Sequence, residues 1–290
     1  MTAEPARKAA AEHSVVYLYG VVRLAPGAQS SSLSLEGIIP EAAVRLVSHG
    51  DLAALVSTVP ADQFSGDALR AASADADWLR ARVVAHDKIL KELCTRFALV
   101  PFRFGTTCPD VADVPGILTR QRARFEQAFD RIADAAEWGV KLFCDLPALR
   151  RRVEEAVPEI RSMRETLTLA QAGTQFFLRK RYDSAVEDQG SAYTAEIVAR
   201  CHERLAAEAR GAVQVQVRVP VDDGAHAALA MNAAYLVDKH ATGSFKRALA
   251  QLKRELATEG FVLELTGPWP AYHFVSSNDE EAVDGAVPER

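Results

Sequence analysis

The sequence predicts an α+β protein of two domains, an N-terminal mixed α+β domain and a C-terminal βαββαβ domain with an enlarged helical crossover. Three observations carry that expectation. Short β-branched and aromatic runs alternate with segments of three- and four-residue apolar periodicity. After Glu137 these patterns follow the order strand, helix, strand, strand, helix, strand. A chain of 290 residues, 49% hydrophobic and 25% charged, has the size and balance of two ordinary globular domains.

The first domain is expected over residues 14–135, after a disordered tail at 1–13 whose Ala, Glu, Lys and Arg offer no long apolar face. Val15 to Val22 reads as a strand and Ala25 to Gly37 as a loop. Val44–Val47 and Leu52–Val59 flank His49-Gly50-Asp51, the pattern of a hairpin. A short helical stretch surrounds Ala68. Asp75 or Asp77 then opens a long helix whose stripe is Trp78, Arg82, His86, Leu90, Leu93 and Phe97. Leu99 to Phe104 is the next strand, ended by Gly105. From Pro109-Asp110 one helix is expected, with Val114, Leu118, Phe125, Phe129 and Ile132 on its apolar side.

The second domain is expected over residues 136–275. Trp138 to Cys144 is a strand, and Leu146 to Val157 a helix that stops near Pro158. Thr166 to Ala209 is helical but polar around Arg179-Lys180-Arg181-Tyr182-Asp183, so a helical insertion of about 160–209 protrudes or packs over only part of its length. Val213, Val215, Val217 and Val219 alternate with polar residues as a half-buried strand. Met231 to Val237 is a strand; Phe245, Leu249, Leu252 and Leu256 share a helix face after Thr242-Gly243-Ser244; Phe261 to Leu265 is the last strand. This order is that of a ferredoxin-like unit. Residues 276–290 read as an acidic disordered tail.

Composition narrows the function. A net charge of −5 argues against a broad nucleic-acid face. Cys94, Cys108, Cys144 and Cys201 form no CxxC pair and read as reduced thiols of a cytoplasmic protein. No secretory signal or apolar run of membrane-spanning length occurs. There is no phosphate loop, no HExxH and no nucleophile elbow, so neither cofactor nor metal is expected. No heptad seam is sustained, which points to a monomer.

What remains is a set of cations and aromatics. Arg82 and His86 share one mostly apolar helix stripe and need acceptors there. Either they form a partner-binding or catalytic pair, or they tie the helix to the Phe102-Arg103-Phe104 strand. Arg103, alternating with two phenylalanines, projects to the opposite sheet face and pairs with a carboxylate of the fold or of a partner. An enzyme holding an anionic small molecule through Arg82, His86 and Arg103 is the alternative to a binding protein, although no nucleophile accompanies them. An RNA-binding sheet would need exposed aromatics that the Val213–Val219 strand lacks.

Five segments in order, Val16-Tyr17-Leu18-Tyr19-Gly20, Trp78 with Arg82 and His86, Val100-Pro101-Phe102-Arg103-Phe104-Gly105-Thr106, Glu137-Trp138-Gly139-Val140-Lys141 and Gly267-Pro268-Trp269-Pro270-Ala271-Tyr272-His273-Phe274-Val275, resemble the gas vesicle protein GvpF/GvpL family. The resemblance runs from about Val15 to Val275 and differs in detail at Thr107-Cys108, Ala271 and His273, leaving the F or L subtype open. It implies a non-enzymatic accessory protein of gas vesicle assembly, with a ferredoxin-like C-terminal domain. It also implies binding to the small hydrophobic shell protein and to other accessory gas vesicle proteins, with no nucleic acid or membrane as partner. No catalytic residue follows from it. The candidate partner-binding residues are Arg82, His86, Phe102, Arg103, Phe104, Trp269, Tyr272 and Phe274.

Overall fold

Ser14–Arg23 forms β1, a β-branched and aromatic strand buried without a break from Val16 to Val22. That continuous burial comes from its place inside a sheet. Strands β2 (Arg45–His49), β3 (Leu52–Pro60), β1 and β4 (Leu99–Pro101) lie in the order β2–β3–β1–β4, and β5 (Thr107–Cys108) also pairs with β1. All these pairings are antiparallel. The computed structural model describes residues 14–24, 33, 35–215 and 227–275. Both expected tails, most of the Ala25–Gly37 loop, and Val217 and Val219 lie outside them.

Helices α1 (Ala61–Phe64), α2 (Gly66–Ala72) and α3 (Ala76–Arg96) follow the hairpin. Asp75 is the residue that opens α3: its carboxylate accepts from the N–H groups of Asp77 (3.0 Å) and Trp78 (3.1 Å). Ile89, Leu90 and Leu93 of α3 join Tyr17, Tyr19, Leu55 and Phe64 in one buried cluster. The helix expected after Pro109 is divided into α4 (Val114–Arg120) and α5 (Arg122–Ile132), because Gln121 (φ −103°, ψ 12°) leaves the helical region.

The strand expected over Leu99–Phe104 ends at Pro101. Phe102 N–H still reaches Tyr19 O (2.9 Å), but Thr106 N–H and Oγ1 both donate to Arg103 O (3.2 and 2.8 Å). Residues 103–106 are therefore a turn, with Gly105 at φ +85° where only glycine sits without strain. Arg103 does not alternate across a sheet.

The second sheet has the order β7–β8–β6–β9, where β6 is Ala135–Asp145, β7 Gly211–Gln214, β8 Ala227–Asp238 and β9 Phe261–Trp269. β6 and β8 run antiparallel from Ala135↔Asp238 to Asp145↔Ala227. Three helices connect β6 to β7: α6 (Leu146–Ala156), α7 (Pro158–Leu169) and α8 (Ala172–Ala206). Pro158 does not simply stop α6; it sits at the start of α7, where its missing N–H costs nothing. α9 (Thr242–Ala257) joins β8 to β9 and buries Phe245, Leu249, Leu252 and Leu256 against Ile197, Cys201 and Leu205 of α8 and the strands.

The chain forms two compact units. One is Asp134–Pro268; the other takes the residues up to Ala133 and those from Trp269 on. The second unit ends at Pro268 rather than at the expected residue 275, because Trp269 and the short α10 (Tyr272–Val275) group with the first unit. The physical reason is a set of contacts from these residues to α3 and α5.

Candidate functional site

Helix periodicity puts Arg82 and His86 one turn apart on α3. His86 is only 1% exposed. Its Nδ1 lies 2.9 Å from Tyr17 Oη, contributed by β1, and its Nε2 lies 3.0 Å from Tyr272 Oη, contributed by α10. Tyr17 Oη also accepts from Gly105 N–H at 3.0 Å. A neutral imidazole has one donor and one acceptor. With the Gly105 bond made, Tyr17 O–H is free to donate to Nδ1, which leaves Nε2–H for Tyr272 Oη. Tyr19 stacks on the imidazole (6.1 Å between centroids, 24° between planes), and Phe104 meets it edge-on (5.8 Å, 89°).

This setting fixes protons. Burial lowers the His86 pKa to about 4, partly opposed by a backbone hydrogen bond with Phe102. Burial likewise pushes the Tyr17 phenol well above its usual range. Both groups are locked neutral at pH 7, whereas a general base works best with a pKa near the operating pH.

Arg82 does different work. Its Nη1 donates to Ile38 O (2.6 Å), while Ile38 N–H donates to Tyr19 Oη (2.8 Å). Tyr19 O–H donates on to Ser57 Oγ (3.0 Å), which donates to Ala42 O (2.9 Å). Arg82, Tyr19 and Ser57 together pin the segment around Ile38 against β1 and α3. A groove of about 400 Å³ beside Arg82 is lined by Ile38, Pro40, Ala85, Lys88 and Glu92, and neither His86 nor Arg103 lines it. This groove therefore unites Arg82 with neither of the other two residues of the enzyme alternative.

The remaining candidates have partners of their own. Lys91 Nζ, on α3, lies 3.7 Å from the centre of the Trp269 ring. Arg131 of α5 donates to Phe274 O (3.2 Å), and Phe274 is buried. Phe102 meets Phe125 edge-on (6.1 Å, 88°). Phe102, Phe104, Trp269 and Tyr272 are half-buried, and Arg103 is exposed. All eight predicted residues belong to the first unit. Sequence reasoning missed Tyr17, Tyr19 and Lys91. The signal was present in Tyr17 and Tyr19, because phenols in a buried aliphatic strand require hydrogen-bond partners.

The second unit holds a larger groove, about 1180 Å³, lined by Cys144, Leu149, Val186, Thr194, Gln214 and Ala230 among others. Its floor follows small and short side chains of α8, Gly190, Thr194 and Val198 beside Ser191, Ala195 and Ala199, which recur at helical spacing. None of the predicted residues reaches it. Among the described residues no three His, Cys, Asp or Glu side chains converge as a metal site would require, and no helix is long and apolar enough to cross a membrane.

Comparison with known proteins gives a consistent result. Residues 15–276 match the model of a family described as gas vesicle synthesis protein GvpL/GvpF. Gas vesicle protein L of Streptomyces sp. (strain CB03234) is 31% identical over 276 residues, covering 91% of this chain and 94% of its own. Gas vesicle protein F of the same strain is 30% identical over 262 residues, covering 89% and 98%. The crystal structure of GvpF from Anabaena sp. PCC7120 superposes with a TM-score of 0.71 at 17% identity, covering 91% of this chain and 99% of that one. GvpF from Microcystis aeruginosa gives 0.62 at 17% identity with the same coverage. These two structures share the mixed α+β fold with antiparallel sheets.

Proposed function

The chain belongs to the GvpL/GvpF family of gas vesicle synthesis proteins, and on that footing we propose that it is a non-enzymatic assembly factor that binds the small hydrophobic shell protein, together with other accessory gas vesicle proteins, while the shell forms. The observation that carries this reading is the family match over residues 15–276. Its physical support is the use made of the polar candidates. His86 uses both ring nitrogens and Arg82 its Nη1 on partners inside the fold, which suits a rigid platform better than acid–base chemistry.

The capture surface, in this reading, is the rim formed by Phe102, Arg103, Phe104 and Trp269. These half-exposed aromatics are backed by the His86 set, so they lose little freedom on meeting an apolar partner. Tyr272, Phe274, Arg82 and His86 support the rim from below. The second unit is read as ferredoxin-like, its order β7–β8–β6–β9 being that of a split βαβ sheet with an enlarged first crossover. The protein works in the cytoplasm at the gas vesicle and is a monomer before it meets its partners.

Co-expression with the host's small shell protein tests this. The expected result is co-elution, with more shell protein kept in solution, and loss of both effects in a folded Arg103→Glu/Trp269→Ser variant. Equal aggregation of the shell protein with and without this chain would overturn the proposal.

A further inference from the structure

The α7–α8 hairpin carries exposed apolar side chains and unpaired charge at one end. Leu169 is 87% exposed, Phe176 71% and Phe177 72%, and the two phenylalanine rings meet each other edge-on at 5.7 Å. Removing such rings from water is favourable, so their exposure marks a place where something else covers them. Arg179, Lys180 and Arg181 follow the two rings along α8, three successive cations in a chain of net charge −5.

The cations nearest the rings are the unpaired ones. Among the described residues Arg179, Lys180 and Arg181 are exposed and form no ion pair, whereas Arg150, Arg152, Arg164, Arg200, Arg204 and Arg210 of the same unit all do. Six of the twelve described arginines of this unit have a carboxylate within ion-pair distance, and Arg179 and Arg181 are among the six that do not.

Spacing selects the kind of partner. Phe176 has Arg179 and Lys180 three and four residues on; Phe177 has Lys180 and Arg181 at the same intervals. Each ring therefore shares its helix face with cations. A helix lying on a lipid surface instead separates an apolar face from a charged one. Rings and cations mixed on one face complement a protein helix whose apolar stripe is edged by carboxylates. We propose that the end of the α7–α8 hairpin is a docking surface for such an amphipathic, acidic helix of another protein. This surface lies in the second unit, and its test does not depend on the shell-protein reading.

Two designed helical peptides of equal length test the idea, both with a leucine stripe, one edged by Glu and the other by Lys. Fluorescence anisotropy with the full chain is expected to show saturable, salt-sensitive binding of the Glu peptide alone. Phe176→Ser with Phe177→Ser should weaken it about tenfold or more, as loss of central aromatic anchors does. Arg179→Glu with Lys180→Glu should abolish it and transfer binding to the Lys peptide, an outcome a misfolded variant would not give. The proposal is overturned if the Glu peptide binds no better than the Lys peptide, or if neither pair of substitutions matters. It is also overturned if vesicles of phosphatidylcholine with phosphatidylglycerol bind through these residues while the Glu peptide does not.

Discussion

A neutral histidine between two phenols ties stability to pH. His86 titrates near pH 4 in the folded chain and near its ordinary 6.5 in the unfolded chain. Above pH 6.5 both states hold it neutral and its contribution is complete. As pH falls towards 4 the unfolded state takes up a proton that the native state refuses, so stability is lost across that window, by about 3 kcal/mol from this group. His86→Gln keeps a donor and an acceptor but cannot ionise. Its urea-unfolding midpoint, followed in the first unit, should therefore depend less on pH between 6.5 and 4 than the parent's; equal dependence would remove His86 as the cause. Tyr272→Phe deletes the hydroxyl that lies 3.0 Å from Nε2, a loss of about 1 kcal/mol. Amide exchange in α3 should accelerate accordingly.

At the scale of elements, the architecture of the first sheet depends on close backbone approach. In β1 the pairing with β3 shifts between Leu18 and Gly20, so Tyr19 is the extra residue of a bulge. A Cβ on Gly20 would lie 2.6 Å from Val100 O and 2.8 Å from Leu99 Cδ1. A backbone oxygen cannot yield as a side-chain tip can, so Gly20→Ala should cost about 1–3 kcal/mol and disturb β4 before any other strand, as amide exchange at Leu99 and Val100 would report. Most elements were legible because periodicity and caps are local. The stripe of α3 and the Asp75 cap are examples. Less legible was whatever depends on distant chain. The strand expected to continue through Phe104 turns instead at Gly105, whose N–H is held by Tyr17, 88 residues away. Tyr272 and His86 were each legible as motif residues, but their bond spans 186 residues, and spacing carries no information about such a pairing. The break at Gln121 also escaped, because an apolar stripe continues from Leu118 to Phe125 across it.

At the scale of the whole molecule, the first unit contains both the start of the described chain and its end, with Asp134–Pro268 between them. Residues 134–268, expressed alone, should give a cooperative thermal transition, because their sheet, three-helix crossover and α9 share one buried cluster. A chain ended at Pro268 should keep that transition and lose stability elsewhere, since Trp269, Tyr272 and Phe274 are gone from the first unit; an unchanged first unit would contradict the grouping. The same arrangement bears on synthesis. Domains on a growing chain usually mature from the N-terminus, yet here the N-terminal sheet waits for His86 to receive a tyrosine that follows the whole of the second unit in sequence. The interior unit has all of its residues first. Ribosome-stalled chains of increasing length, pulsed with protease, should become resistant over 134–268 before they do over 14–133. The half of the protein translated first would then be the half finished last.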